Sequence, residues 1–368
     1  MPSEPYASQK IAKLTPIDGV FRKLDALATP VAARTIALAR AEHLVLAGDV
    51  RLAATSPARA IALQDGHAVS SKDVTDAGPY TPMAAKTAWI EAGEVLPDGF
   101  DAVLAPDAVS ESGEVTEPAA PGEGVWPQAA DGEANSLLSQ AGEQLRAIDI
   151  AVLESLGVKE VSVRVPKIAL VAVRKDQQPL LSLFSRMIAA SGGEVASAAS
   201  LDAALDDESA DAVIVLGGSG MGRSDKSVTT LARKGRVEIH GFALKPGETA
   251  ALGAMAGAKR VRPVLIVPGR FDAALAVFAL LGLRLIAKLS GHARYIVQMP
   301  ITLSRKLASQ VGIAEFVPLA RTGKSEAEPV ATGTLPLSAL ARSDGWLMVP
   351  AESEGYPEGS RVEMRFLP

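Results

Sequence analysis

The chain contains no cysteine. Disulfides, thiolate-held metals and a thiol nucleophile are therefore excluded. Histidine is nearly as scarce, with 4 residues and no paired spacing, so the sequence offers no zinc-ligand set. No serine sits in a nucleophile-elbow pattern, which leaves a Ser/His/Asp triad unsupported. Aromatics make up only 4% of the residues, a composition that favours alternating strands and helices over an aromatic-rich sandwich. Basic tracts are missing too, and with a formal net charge of −5 the chain lacks a nucleic-acid footprint. The N-terminal "MPSEPYASQKIAKLTPIDG" has no continuous apolar core, so it does not read as a secretory signal and the expected compartment is the cytoplasm. The most apolar run, "AALAVFALLGL" from Ala273 to Leu283, is too short to span a bilayer. It predicts a buried helix, and neither a nucleic acid nor a membrane is an expected partner.

What is present is ample material for packed cores: 368 residues, 48% of them hydrophobic. That length predicts two or three domains. From Pro16 to Asp49, "FRKLDALA" and "RTIALARAEHLVLAGDV" carry apolar residues at helical spacing. From about Arg51 to Asp131, Gly, Pro, Thr and Asp interrupt short apolar runs, as in a small β-rich domain with many turns. "NSLLSQAGEQLRAIDIAVLESLGV" returns to helical periodicity and "KEVSVRV" reads as a strand. From Lys167 the alternation is regular: strands "KIALVAV", "DAVIVLGG", "VEIHGFAL" and "PVLIVPG" are separated by amphipathic segments and followed by "FDAALAVFALLGLRLIAKLSG". Near-continuous apolar strands of this kind predict a mainly parallel sheet covered on both faces. After Gly291, short alternating runs such as "AEFVPLAR" and "RVEMRFLP" predict a small C-terminal β-domain.

Ligands of open parallel sheets bind beyond the carboxyl ends of the strands, and three strand ends here carry polar residues. "IVLGGSGMGRSD" offers Gly217, Gly218, Ser219, Gly220 and Gly222, where a tight backbone brings N–H groups to an anion, and Asp225, suited to a metal ion or a ligand hydroxyl. It fits neither the P-loop nor the dinucleotide fingerprint, and an ordinary strand-to-helix turn is the plainer reading. "LVAVRKDQ" adds Arg174, Lys175 and Asp176, and "LIVPGRFD" adds Pro268, Gly269, Arg270 and Asp272. "ALKPGE" sets Lys245 beside the turn residues Pro246 and Gly247. In the β-rich region "LQDGHAV" presents Asp65 and His67, either as a hairpin turn or as an aspartate offered for metal or anion chemistry. Glu94, Asp98 and Asp101 of "EAGEVLPDGFDAV" read as solvent-facing turn residues.

In this order the stretches resemble the molybdopterin molybdotransferase family, known from bacterial MoeA proteins and the gephyrin E domain. "HLVLAGDV" is similar to its N-terminal signature, "LQDGHAV" to D-G-Y-A-V, "AGEVLPDGFDAVLAPD" to T-G-A-x-L-P-x-G-A-D-A-V with its closing acid at Asp107, "GGSGMGRSD" to G-G-x-S-x-G-x-x-D, "ALKPGE" to K-P-G-K-P, and "IVPGRFDAALAVF" to L-P-G-N-P and its helix. The resemblance covers nearly the whole chain. It implies an α/β multidomain protein: a linking domain of residues 1–48 with 135–165, a β-rich domain of 49–134, a molybdopterin-binding α/β domain of 166–292 and a barrel-like β-domain of 293–368. It further implies an elongated homodimer, other molybdenum cofactor biosynthesis proteins as partners, adenylated molybdopterin and molybdate as substrates, and Mg²⁺. Asp65, Asp131, Asp176 and Asp225 would then be the catalytic carboxylates, with Asp65 and Asp225 on the metal. Phosphate contacts would come from Gly217, Gly218, Ser219, Gly220, Gly222, Lys245, Pro246, Gly247, Pro268, Gly269, Arg270, Arg174 and Lys175.

The chain departs from the family pattern at several of these places. T-G-D-E is Val173, Arg174, Lys175 and Asp176, T-G-A is Ala92, Gly93 and Glu94, and the loop serine is Gly220. The second lysine of K-P-G-K-P is Glu248, Asn-Pro is Arg270 and Phe271, and an arginine pair before Asp131 is Trp126 and Pro127. Two functions follow: insertion of molybdate into adenylated molybdopterin with release of AMP, or a catalytically impaired paralogue that binds molybdopterin, the finished cofactor or a partner protein as carrier or scaffold.

Overall fold

The structure is a computed structural model that describes residues 9–257 and 260–367. The first eight residues of the N-terminal stretch read above lie outside it. The chain divides into two compact bodies, one drawn from Met1–Gly48, Ala141–Ala151 and Lys159–Pro368, the other from Asp49–Gln140 and Val152–Val158.

The first body is built on a six-stranded sheet. Its elements are α1 (Ile17–Leu27), β1 (Lys167–Ala172), α2 (Gln178–Ala190), β2 (Glu194–Ser197), α3 (Leu201–Asp206), β3 (Ala212–Leu216), α4 (Ser227–Lys234), β4 (Arg236–His240), β5 (Ala251–Met255) and β6 (Arg262–Val267). A long helix, α5 (Phe271–Ser290), follows, with a π-turn at Phe278–Gly282. The strand order is β2-β1-β3-β6-β5-β4; the first four run parallel, and β5 and β4 close one edge antiparallel.

Alternate residues of these strands feed two cores. Ile168, Leu170, Ile214, Leu216, Leu265 and Val267 pack with α1, α2 and α5, while Ala169, Val171, Val213, Val215, Val264 and Ile266 pack with α3 and α4. With both faces covered, no position of β3 can be polar, and all five are apolar and buried. On the α5 side, Phe278 stacks on Phe184 of α2 with ring centroids 4.0 Å apart. At 20 residues α5 is longer than its apolar run suggested and, by length and composition alone, could cross a membrane, yet 83% of its apolar window is buried inside the fold. Its apolar surface is spent on the sheet, as the buried-helix reading expected.

Four local readings change. "RTIALARAEHLVLAGDV" is not an α-helix: Arg34–Ala37 and Val45–Leu46 pair antiparallel with Glu160–Arg164, where Ile36 sits opposite Val161 and Leu46 opposite Val163 across the ladder. "NSLLSQAGEQLRAIDIAVLESLGV" is helical only over Ala147–Ser155, and Leu137–Ser139 is a strand. "VEIHGFAL" is two strands in two sheets, since Gly241 turns the chain at φ +101°. Strands β2 and β5 were not anticipated at all.

Residues after α5 form β7 (Gln298–Leu303), β8 (Ala314–Arg321), β9 (Glu326–Pro329), β10 (Gly345–Val349) and β11 (Arg361–Arg365). The pairings β8–β9, β9–β7, β7–β11, β11–β10 and β10–β8 close a five-stranded barrel. Phe242–Lys245 extends its sheet by pairing parallel with β8 and with Thr15–Pro16.

In the second body Gly66–Val69 is the centre of a three-stranded antiparallel sheet, flanked by Ala88–Ile90 and Ala102–Leu104. The Asp65-Gly66 pair is not a hairpin turn: Ile61–Ala62 pairs instead with Val125–Trp126. Glycine is required at 66 because a Cβ there would run into the Leu104 carbonyl.

Candidate functional site

β1, β3 and β6 end side by side at one rim of the sheet. α2, which follows β1, packs on one face, while α3, which precedes β3, packs on the other. The chain thus reverses direction across β1/β3 and leaves a crevice there. An open cavity of about 400 Å³ occupies it, lined by Arg174, Asp176, Gln177, Gly218, Ser219, Gly220, Asp225, Gly247, Glu248, Thr249, Pro268, Gly269, Arg270 and Ala273. All three polar strand ends read from the sequence contribute to this wall.

The floor is the glycine loop after β3. Gly217 and Gly218 have φ of +88° and +71°, a region that costs L side chains strain. A Cβ on Gly217 would strike the Gln177 amide, and one on Gly218 the Ser227 hydroxyl. Ser227 Oγ donates to the Gly217 carbonyl at 2.8 Å. Asp225 turns back on the loop, its Oδ2 accepting the Gly222 N–H at 2.9 Å. Among the described residues the N–H groups of Gly218, Ser219 and Gly220 meet no acceptor, so three consecutive donors remain at the cavity.

Two residues that sequence reasoning did not single out hold this loop. Gln9, 4% exposed, donates from Nε2 to the carbonyls of Gly218 and Gly220 at 3.0 and 2.7 Å. Its Oε1 accepts the N–H groups of Val228 and Thr229 at 2.8 and 3.0 Å, which are otherwise orphan donors in the first turn of α4. Gln177, equally buried, accepts the Arg174 N–H at 3.2 Å. No pattern in the sequence marks Gln9, whose partners lie on other elements; Gln177 bonds within its own turn and packs its amide against Gly217 and Gly269.

The walls are two turns of the same form, Arg-x-Asp, after β1 and β6. Arg174 forks onto Asp176, with Nε to Oδ1 at 3.1 Å and Nη2 to Oδ2 at 2.8 Å. Hydrogen bonding and charge from Asp176 raise the Arg174 pKa above its ordinary value, and the charge of Asp225 adds to this. Arg270 donates from Nε to Asp272 Oδ1 at 2.6 Å. Asp272 is buried and also accepts the N–H groups of Ala273 and Leu335 at 2.8 and 3.3 Å. Arg270 itself is 63% exposed, so its two terminal nitrogens face solvent from an anchored stem.

Of the other residues singled out, Gly217, Gly222, Lys175 and Pro246 adjoin the cavity in sequence without lining it. Lys245 turns toward the barrel segment, where a Cβ on Gly333 would lie 3.5 Å from its ammonium. Asp65 and Asp131 belong to the second body. There Asp65 Oδ1 accepts the Ala92 N–H at 2.8 Å and Asp131 Oδ2 accepts the Ser56 hydroxyl at 2.8 Å. Glu94 accepts the Glu91 N–H, Asp98 pairs with Arg59, and Asp101 accepts from the Ser71 N–H and hydroxyl.

Among the described residues no group of three or more His, Asp or Glu side chains is gathered to hold a metal ion. Each carboxylate of the cavity has a partner: Arg174 holds both oxygens of Asp176, while Asp225 Oδ2 accepts the Gly222 N–H and Glu248 Oε2 the Gly247 N–H at 3.0 Å. Mg²⁺ takes a near-octahedral set of hard oxygens; the described residues offer no all-protein cage for it, and Asp176 has both oxygens on Arg174.

Three family models match successive parts of the chain. The MoeA N-terminal region (domains I and II) covers residues 15–157, a "Probable molybdopterin binding domain" covers 192–288, and the MoeA C-terminal region (domain IV) covers 300–367. A protein of Methanocaldococcus jannaschii named for molybdopterin biosynthesis is 24% identical over 91% of this chain and 92% of its own length. Among solved structures, the molybdopterin biosynthesis moeA protein of Pyrococcus horikoshii covers 96% of this chain and 100% of its own, with a TM-score of 0.76 at 22% identity. A molybdenum cofactor biosynthesis protein of Pyrococcus furiosus covers the same shares with a TM-score of 0.61 at 20% identity. Two MoeA models flanking a molybdopterin-binding model, in order along a chain whose fold matches a moeA protein from end to end, make this protein a divergent member of the MoeA family of molybdenum cofactor biosynthesis.

Proposed function

We propose that the chain binds a phosphate-bearing molybdopterin species, adenylated molybdopterin, in the cavity at the ends of β1, β3 and β6. The observation that carries this reading is the arrangement of donors: three unpaired loop N–H groups lie between two guanidinium-bearing turns. Backbone donors and guanidinium forks are the groups that receive phosphate oxygens. The relatives named for molybdopterin biosynthesis supply the pterin half of the ligand.

Two uses of such a site are open to a family member, insertion of molybdate with release of AMP and carriage of the bound pterin. The Arg174–Asp176 pair favours carriage. Asp176 is held at both oxygens by the Arg174 guanidinium, and to act as a base or metal ligand it would first have to leave this exposed pair. The test is anaerobic incubation of the protein with adenylated molybdopterin and molybdate, following bound pterin and free AMP. Tight binding without AMP is the expected outcome. Stoichiometric AMP release would establish insertion instead, and failure to bind would remove both uses.

A further inference from the structure

We propose that Arg174 and Arg270 together form the phosphate clamp of this cavity, so that a diphosphate-bearing ligand is held there without a divalent cation. The proposal rests on the reading of the cavity as the ligand site and adds the means by which the ligand's charge is met.

The two arginines stand at equivalent places, each opening an Arg-x-Asp turn after a parallel strand, on either side of the glycine loop. Each spends part of its fork on its own aspartate and keeps the rest. Arg270 commits Nε alone, Arg174 commits Nε and Nη2, and among the described residues the remaining terminal nitrogens meet no acceptor. Three guanidinium nitrogens thus border three free backbone donors, a set that can surround two phosphate groups. A guanidinium matches phosphate geometry in a way that a point charge does not.

Anchoring is already provided. Asp272 is 4% exposed and tied to Arg270, to the Ala273 N–H and to the Leu335 N–H. The Arg270 stem is therefore positioned before any ligand arrives, which lowers the ordering cost of binding. The carboxylates that would recruit a cation are the same ones that hold the arginines and close the loops. A divalent ion bound to Asp176 would have to displace the Arg174 guanidinium, so cation and guanidinium are alternatives on that carboxylate.

Calorimetric titration of the full chain with inorganic pyrophosphate, in EDTA and again with excess Mg²⁺, tests this. The Kd is expected to agree within about threefold between the two conditions, and Arg174→Gln and Arg270→Gln are each expected to weaken it about tenfold or more. Because Arg270→Gln leaves Asp272 without its cation, Arg270→Lys is measured beside it. That variant keeps the charge and is expected to fold normally and still bind several-fold more weakly. Binding seen only with Mg²⁺ overturns the clamp and leaves the ligand site standing. Variants that are folded and bind like the parent overturn it as well. Absence of binding under both conditions overturns the ligand site itself, and the clamp with it.

Discussion

At the scale of single residues, Gly218 and Gln9 carry the loop. Gly218→Ala places a Cβ at φ +71° against the Ser227 hydroxyl, and should cost about 1–3 kcal/mol in urea denaturation; a change below a few tenths would show that the loop is not held in this shape. Gln9→Ala removes the two hydrogen bonds donated by Nε2 and the two accepted by Oε1 of one buried amide and should destabilise on the order of 2–3 kcal/mol. Its sharper signature is hydrogen exchange: the Val228 and Thr229 amides should lose protection while β1 and β6 keep theirs. Equal loss everywhere would mean general unfolding rather than release of a staple. The glycine loop was legible in the sequence because glycines and a serine cluster directly after an apolar strand. Gln9 was not, since its partners lie 209–220 positions away, and a lone glutamine near the start of the chain carries no pattern. The mutual commitment of Arg174 and Asp176 also escaped notice, for adjacent charges in a sequence do not say whether they face each other or a ligand.

At the scale of elements, the apolar runs of β1, β3 and β6 identified themselves because strands covered on both faces have few polar positions, here only Lys167 and Arg262 at their starts. β5, with the sequence "ALGAM", lacks β-branched residues and is a strand only because it sits between β4 and β6. Residues 34–49 failed the other way: a helical spacing of apolar residues was overruled by pairing with Glu160–Arg164. Two contacts of α5 lend themselves to measurement. Phe278→Ala empties one half of the Phe184–Phe278 stack in a fully buried place and should cost about 3–5 kcal/mol in equilibrium unfolding; a cost under 1 kcal/mol would mean that α2 and α5 do not meet there. Asp25 of α1 grips Arg284 through two hydrogen bonds of 2.8 and 2.6 Å and pairs with Lys288 at 3.1 Å. Burial works to raise the Asp25 pKa, but the hydrogen bonds and charges of Arg284 and Lys288 outweigh it, and the net value lies below the ordinary 3.8. A depressed carboxylate stabilises the fold above its unfolded pKa, and that contribution disappears as pH falls through the folded value. Asp25→Asn should therefore cost about 1–2 kcal/mol near neutrality, with the gap to the parent closing below about pH 4. A gap that persists unchanged into acid would rule out the ionic account.

At the scale of the whole molecule, the order of the segments was readable and the fold class followed from it, because each segment's motif fell in sequence beside apolar periodicities of the right kind. The barrel-like C-terminal domain was expected from the family resemblance alone: its closure depends on β8 pairing with both β9 and β10, and strand partners are not written in strand composition. Nor did the sequence show that Phe242–Lys245 leaves the α/β sheet for the barrel's, although Gly241 marks the place where it turns. The family membership fixes the biosynthetic setting, while the substitutions around the cavity decide what this chain does within it. The charged substitutions that line the cavity each have a local partner in the fold: Arg174 with Asp176, Arg270 with Asp272, and Glu248 with the Gly247 N–H. The site is therefore internally consistent, and the proposed anionic ligand would meet cations supplied by the fold itself. The most direct measurement is a crystal structure of the protein soaked anaerobically with adenylated molybdopterin. The account predicts the ligand's phosphates between Arg174 and Arg270, against the N–H groups of Gly218, Ser219 and Gly220, with the phosphoanhydride intact. A ligand bound at another place, or a cavity that stays empty at saturating concentration, would contradict it.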